Sequence, residues 1–268
     1  MKPYKLSFGI LILPLLFLLF TAAGATAAPS VEEIVRKTNH AAYYQGDDGR
    51  AQVRMTITDS QGRKRNRRFT ILRRDEPGPD GNQKFYVYFH EPADIHKMAF
   101  LVWKYIDRDD DRWLYLPALD LVKRIAASDK RTSFVGSDFF YEDVSGRGIS
   151  EDHHALKKET QTYYLLENKP KDPDSVEFSS FDMWIHKKTF LPVKIEYYDK
   201  NGEKYREYEV LEVKTIQGNV TPVKARMKDL KSGSETVVEY TDVEYDIGIP
   251  EEIFSERYLR RPPRKYLR

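Results

Sequence analysis

The chain has 268 residues, 44 basic against 42 acidic, and no cysteine. Nearly balanced charge supplies no global field for polyanions, so nucleic acid is not an expected partner. Without cysteine there is no thiolate nucleophile, no thiolate metal site and no lipid-modified cysteine at a mature N-terminus.

The first residues read as an export signal. Lys2 and Lys5 precede an apolar run, Leu6 to Phe20, and Ala25-Thr26-Ala27 fits the small-residue cleavage pattern. That run is shorter than the roughly 20 residues needed to cross a bilayer. Residues 1–27 are therefore assigned as a cleaved secretory signal, leaving a soluble exported protein. No linker divides the rest, so residues 28–256 are expected to form one domain, followed by a basic, extended tail over 257–268.

Ser30 and Glu33 form a capping box, and Val31, Ile34, Val35 and Ala42 share a face, which predicts an amphipathic helix over Val31–Tyr44. Val53, Met55 and Ile57 alternate with polar neighbours, giving a strand over 50–58 that pairs across Asp59-Ser60-Gln61-Gly62 with 63–74. The stretch 84–90, KFYVYFH, is apolar on both faces and predicts a covered central strand. A second hairpin, 100–106 with 112–116, turns at the acidic run Asp107 to Asp111. Shorter strands are expected over 119–126 and 131–135. After a glycine-led loop, 136–148, strands are expected over 156–167, 179–186, 192–199, 203–215, 220–229 and 235–245, with turns marked by Asn201-Gly202 and Ser232-Gly233.

Successive short strands with tight turns imply antiparallel pairing, because parallel strands need long crossovers. No helix-period segment interrupts the run, which excludes α/β classes. The fold class is mainly β: a strongly curved antiparallel sheet with an N-terminal helix and short helices or loops at its mouth.

A curved sheet has a concave face that must be filled. Leu101, Trp103 and Tyr105 share one strand face, and Trp113 and Tyr115 share another; with Phe85, Val87 and Phe89 they are candidate walls of an apolar cavity. Aromatics are more often ordinary core than ligand contacts. The cavity reading gains weight because strands apolar on both faces outnumber the one helix available to cover them. Gly136, Asp138, Phe139 and Phe140 are candidates for a rim loop, whose acids pair with Arg131 or Arg147 or cap backbone N–H groups.

Other chemistry finds little support. The acidic run lacks the glycine and terminal glutamate of a calcium loop. His153 and His154 are adjacent and face opposite ways in a strand, so no metal site is assigned. Ser137 lies outside any nucleophile elbow and no phosphate loop is present. No catalytic residue and no cofactor are expected. Basic residues at 63–68 and 257–268 suit an anionic headgroup surface, at about 1 kcal/mol per residue, or a charge-guarded strand edge.

Asp111-Arg112-Trp113-Leu114-Tyr115-Leu116-Pro117, the following Val122-Lys123-Arg124, and Phe134-Val135-Gly136-Ser137-Asp138-Phe139 with Tyr141-Glu142-Asp143 resemble the outer-membrane lipoprotein-sorting (LolA/LolB-like) superfamily. The resemblance is to the LolA-like branch associated with RND-type transporters. It implies a half-open β-barrel that encloses acyl chains and a monomeric periplasmic carrier of a lipid or lipoprotein. It further implies an RND-type transporter or another membrane protein as partner, and no catalysis. An envelope lipid sensor or transporter accessory of the same fold is the alternative.

Overall fold

The computed structural model describes Met1 and residues 28–268. The expected signal falls on residues outside that description. Among the described residues no helix is long and apolar enough to cross a membrane.

Thirteen strands form one antiparallel sheet. They are β1 (Asp48–Thr58), β2 (Lys64–Asp75), β3 (Gln83–Glu91), β4 (Ala99–Lys104), β5 (Asp111–Leu116), β6 (Leu121–Ile125), β7 (Asp152–Glu159), β8 (Tyr163–Pro170), β9 (Phe178–His186), β10 (Pro192–Asp199), β11 (Lys204–Ile216), β12 (Asn219–Asp229) and β13 (Ser234–Tyr245). Neighbours in sequence pair in space throughout, except that β1 also pairs with β13 and β6 does not pair with β7. The sheet is thus a meander whose termini meet in the middle and whose open edges are β6 and β7. The connection between those edges, residues 126–151, crosses the inner face and carries the short helix α2 (Tyr141–Ser145). Helix α1 (Val31–Tyr43) starts at Ser30, whose Oγ accepts from the Glu33 N–H at 3.1 Å, a capping bond.

Two covers divide the inner face. Ile34 and Val35 of α1 pack on Tyr164, Leu166 and Ile185 of β8 and β9. At the other end, Phe134 and Tyr141 of the connection pack on Phe69, Phe89 and Phe100, with ring centroids between 5.2 and 6.3 Å apart.

The outer face has its own cover. Tyr86, Tyr88, Leu101 and Trp113 bury against Ile253, Phe254, Leu259 and Leu267 of the C-terminal segment, which includes α3 (Glu256–Arg260). Trp103 Nε1 donates to the Phe254 carbonyl at 2.7 Å and the Tyr86 hydroxyl to that of Tyr258 at 2.8 Å. The tail is therefore docked, not extended. Its arginines point outward while Leu259 and Leu267 between them turn inward.

Two strand assignments also change. The stretch expected as one strand over 156–167 is a hairpin, β7 and β8, turning at residues 160–162. No strand forms over 131–135; a single bridge, Ser133 with Phe140, stands there within the connection.

Because Leu259 is fully buried, Leu259→Ala is expected to cost about 2–5 kcal/mol in urea unfolding. A loss below about 0.5 kcal/mol would mean that the tail contributes nothing to the fold.

Candidate functional site

Between the two covers the inner face is left unfilled, and a cavity of about 320 Å³ remains. The lining runs from Phe85, Val87, Phe69 and Met55 on β3, β2 and β1, through Tyr240 on the adjacent β13, to Tyr208, Tyr197 and Ile195 on β11 and β10. Strand alternation produces it. On β10 and β11 the residues between these, Lys194, Glu196, Glu207 and Glu209, face outward and pair with other charges. Phe139 and Val144 of the connection close one end. Ala41, Ala42 and Tyr43 at the end of α1 lie at the other. Gln45, just past α1, donates from Nε2 to the Val220 carbonyl at 2.8 Å, which ties the helix end to the start of β12.

The connection is fixed by charge. Arg131 forks onto Glu177 with two bonds of 2.7 Å and also bonds Glu142. Burial pushes Glu142 upward, but Arg131, Lys130 and Arg147 outweigh it and hold the carboxyl below its usual range. For Glu177 burial likewise opposes the shift, and the Arg131 fork brings the group down to about 2. Asp138 accepts from the Thr236 hydroxyl at 2.6 Å and from Ser234. Asp143 accepts from the Phe140 N–H at 2.6 Å and from Arg206, whose guanidinium lies 3.9 Å from the Phe140 ring. These acids hold the loop across β11 and β13.

Of the residues read as cavity wall, Phe85 and Val87 line it, and Phe89 lies on the same face within the closed aromatic core. Leu101, Trp103, Trp113 and Tyr115 belong to the outer face, under the C-terminal segment. Tyr105 lies beyond the end of β4, with the Arg108 guanidinium 3.4 Å from its ring centroid. The reason is that β3–β5 are apolar on both faces, and one-residue alternation puts these two sets on opposite sides. Of the rim candidates, Phe139 lines the cavity, Phe140 is held between Arg131 and Arg206, Asp138 anchors the loop and Gly136 sits at its exposed bend. Tyr43, Tyr197, Tyr208 and Tyr240 went unread. For the last three the signal was present in β10, β11 and β13, where each alternates with charged or polar neighbours; Tyr43, at the end of α1 beside Ala42, carries no such mark.

A second recess, of about 500 Å³, is polar and contains the acidic turn. Its charges are largely matched internally, as in Arg112 with Asp110 at 2.6 Å and Lys130 with Glu151 at 2.9 Å. Among the described residues no group of three or more His, Asp or Glu is placed to hold a metal ion.

A family model described as "Uncharacterized protein" matches residues 81–261. Comparison with curated proteins finds no significant sequence match. Among solved structures, a DUF1329 family protein from Desulfovibrio piger is 27% identical, with a TM-score of 0.79, covering 87% of this chain and 100% of its own. A domain from Vibrio parahaemolyticus named for outer-membrane lipoprotein sorting is 26% identical, with a TM-score of 0.76 and coverage of 84% and 97%. A LolA superfamily protein from Nitrosomonas europaea shares the fold at 23% identity, with a TM-score of 0.67 and coverage of 86% and 100%.

Lys104 joins the two covers of the cavity. Its Nζ donates to the Ser145 carbonyl at 2.6 Å, at the end of α2, and lies 5.0 Å from the Tyr43 ring centroid. Burial pushes the ammonium down from 10.5 to about 8. Between those values the unfolded chain keeps a proton that the folded protein has released, so stability rises with pH across that window. Unfolding free energies from urea titrations at pH 7.5 to 9.5 are expected to climb in the native protein relative to Lys104→Met, by an amount on the order of 1–3 kcal/mol. Parallel curves would show that Lys104 titrates normally.

Proposed function

The chain belongs to the outer-membrane lipoprotein-sorting (LolA/LolB-like) superfamily, and from that premise we propose that it is a periplasmic carrier of acyl chains. On this reading the protein takes the chains of a lipid or lipoprotein into its cavity and moves them between envelope components without catalysis. The observation that carries the proposal is the cavity itself, about 320 Å³ between α1 and the connection and bounded on one side by Met55, Phe69, Phe85 and Val87. A well-packed interior leaves few voids larger than a water, so apolar space on this scale favours an apolar occupant. The membrane partner is proposed to be an RND-type transporter, on the family resemblance alone.

Two surfaces compete for the acyl site, and mutation separates them. Val238 lines the cavity and is 3% exposed, whereas Trp113 is buried outside it against the C-terminal segment. In delipidated protein, Val238→Trp is expected to weaken binding of the fluorescent probe phenylnaphthylamine at least tenfold, and Trp113→Ala to change it less than twofold, with both folds checked by circular dichroism. The reverse pattern would place the site on the outer face. Transfer of labelled lipid between vesicles is expected to accelerate with the native protein. Tight binding without acceleration would overturn the carrier reading in favour of a binding module that does not transfer.

A further inference from the structure

Four tyrosines line the cavity: Tyr43 from the end of α1, Tyr197 from β10, Tyr208 from β11 and Tyr240 from β13. Among the described residues none of their hydroxyls takes part in a hydrogen bond with a protein group, unlike Tyr44, Tyr86 and Tyr205, whose hydroxyls are all bonded. A phenol without a protein partner in such a cavity is a donor open to the polar atoms of an occupant.

The charges at the same site are already committed. Asp143, also in the cavity wall, bonds Arg206. Arg73 at the wall donates to the carbonyls of Tyr43, Gln45 and Gly46 and pairs with Asp75 at 3.0 Å. Arg50 pairs with Glu244 at 2.6 Å. No uncommitted cation among the described wall residues awaits an anion, and the Asp143 carboxylate disfavours one. The phenols also stay protonated. Burial, then Asp143 and the neighbouring tyrosines, push the Tyr43 hydroxyl well above its usual range, and burial alone takes that of Tyr240 up to about 12.

Building on the acyl-carrier reading, we infer that the cavity holds the uncharged polar head of a single-chain amphiphile, with hydroxyl or ester oxygens accepting from Tyr43, Tyr197, Tyr208 and Tyr240. The cavity, about 320 Å³, has room for at least one acyl chain with a small head.

The test compares 1-monodecanoylglycerol with decanoate at pH 7.5, each displacing phenylnaphthylamine from delipidated full-length protein. Monodecanoylglycerol is expected to bind at least tenfold more tightly. In the Tyr208→Phe/Tyr240→Phe double variant, the ratio of monodecanoylglycerol affinity to probe affinity is expected to fall about 25-fold, since each of the two neutral hydrogen bonds contributes about a factor of five. Equal or tighter binding of decanoate, or an unchanged ratio in the double variant, overturns the inference and leaves the carrier reading standing. Failure of the native protein to bind the probe or either acyl ligand overturns the carrier reading, and the inference falls with it.

Discussion

Strands β3, β4 and β5 carry large apolar side chains on both faces, and that constraint arranges the rest of the molecule. Phe85, Val87, Phe100 and Leu114 face inward, while Tyr86, Leu101 and Trp113 face outward. Each such side chain is worth about 1.5–3 kcal/mol when removed from water, so neither face can be left wet. The connection between β6 and β7 folds over the inner set, and the C-terminal segment folds over the outer one. Strands β10 and β11 need only one cover, because their outer face carries a paired charge lattice that includes Lys194, Glu196, Lys204 and Glu207. The cavity lies where these two halves of the sheet meet, between the two inner covers.

The position of the connection is set by ion pairs more than by its apolar area. Glu142 and Arg131 are both nearly inaccessible, and so is Arg206 beside Asp143. Taking such charges out of water costs about as much as their attraction returns. Their value lies in geometry, since this placement of residues 130–147 pairs Arg131 with Glu142 and Asp143 with Arg206 at once. The same residues that close the barrel thereby determine how much of its interior stays empty.

Period-two alternation and turn chemistry made most of the sheet legible in the sequence. Val53-Met55-Ile57, Asn201-Gly202 and Ser232-Gly233 each encode their local structure directly. The hairpin at residues 160–162 was missed because Thr160-Gln161-Thr162 contains no glycine, proline, asparagine or aspartate to mark it. The docked tail was missed because arginines surround Leu259 and Leu267 and hide a short buried stripe. The site was half legible for a different reason. Alternation says that Phe85 and Tyr86 face opposite ways, but not which of two apolar faces is concave. That choice depends on the C-terminal segment some 170 residues away, whose Phe254 and Leu259 fit only the outer side.

The polarity of the cavity also bears on why it stays open. Its two walls are unlike: phenylalanine and aliphatic residues on β2 and β3, tyrosines on β10, β11 and β13. Collapse of one wall onto the other would press the hydroxyls of Tyr197, Tyr208 and Tyr240 against Phe69 and Phe85, whose side chains carry no polar acceptor. At about 1–3 kcal/mol for each unsatisfied group, that cost offsets much of what closing the void would return at about 24 cal/mol per Å³. Had these positions been phenylalanine, closure would have carried no such penalty. Tyrosine at these positions opposes closure and at the same time supplies the donors that an amphiphile's head needs, so the preserved space and its proposed selectivity share one cause.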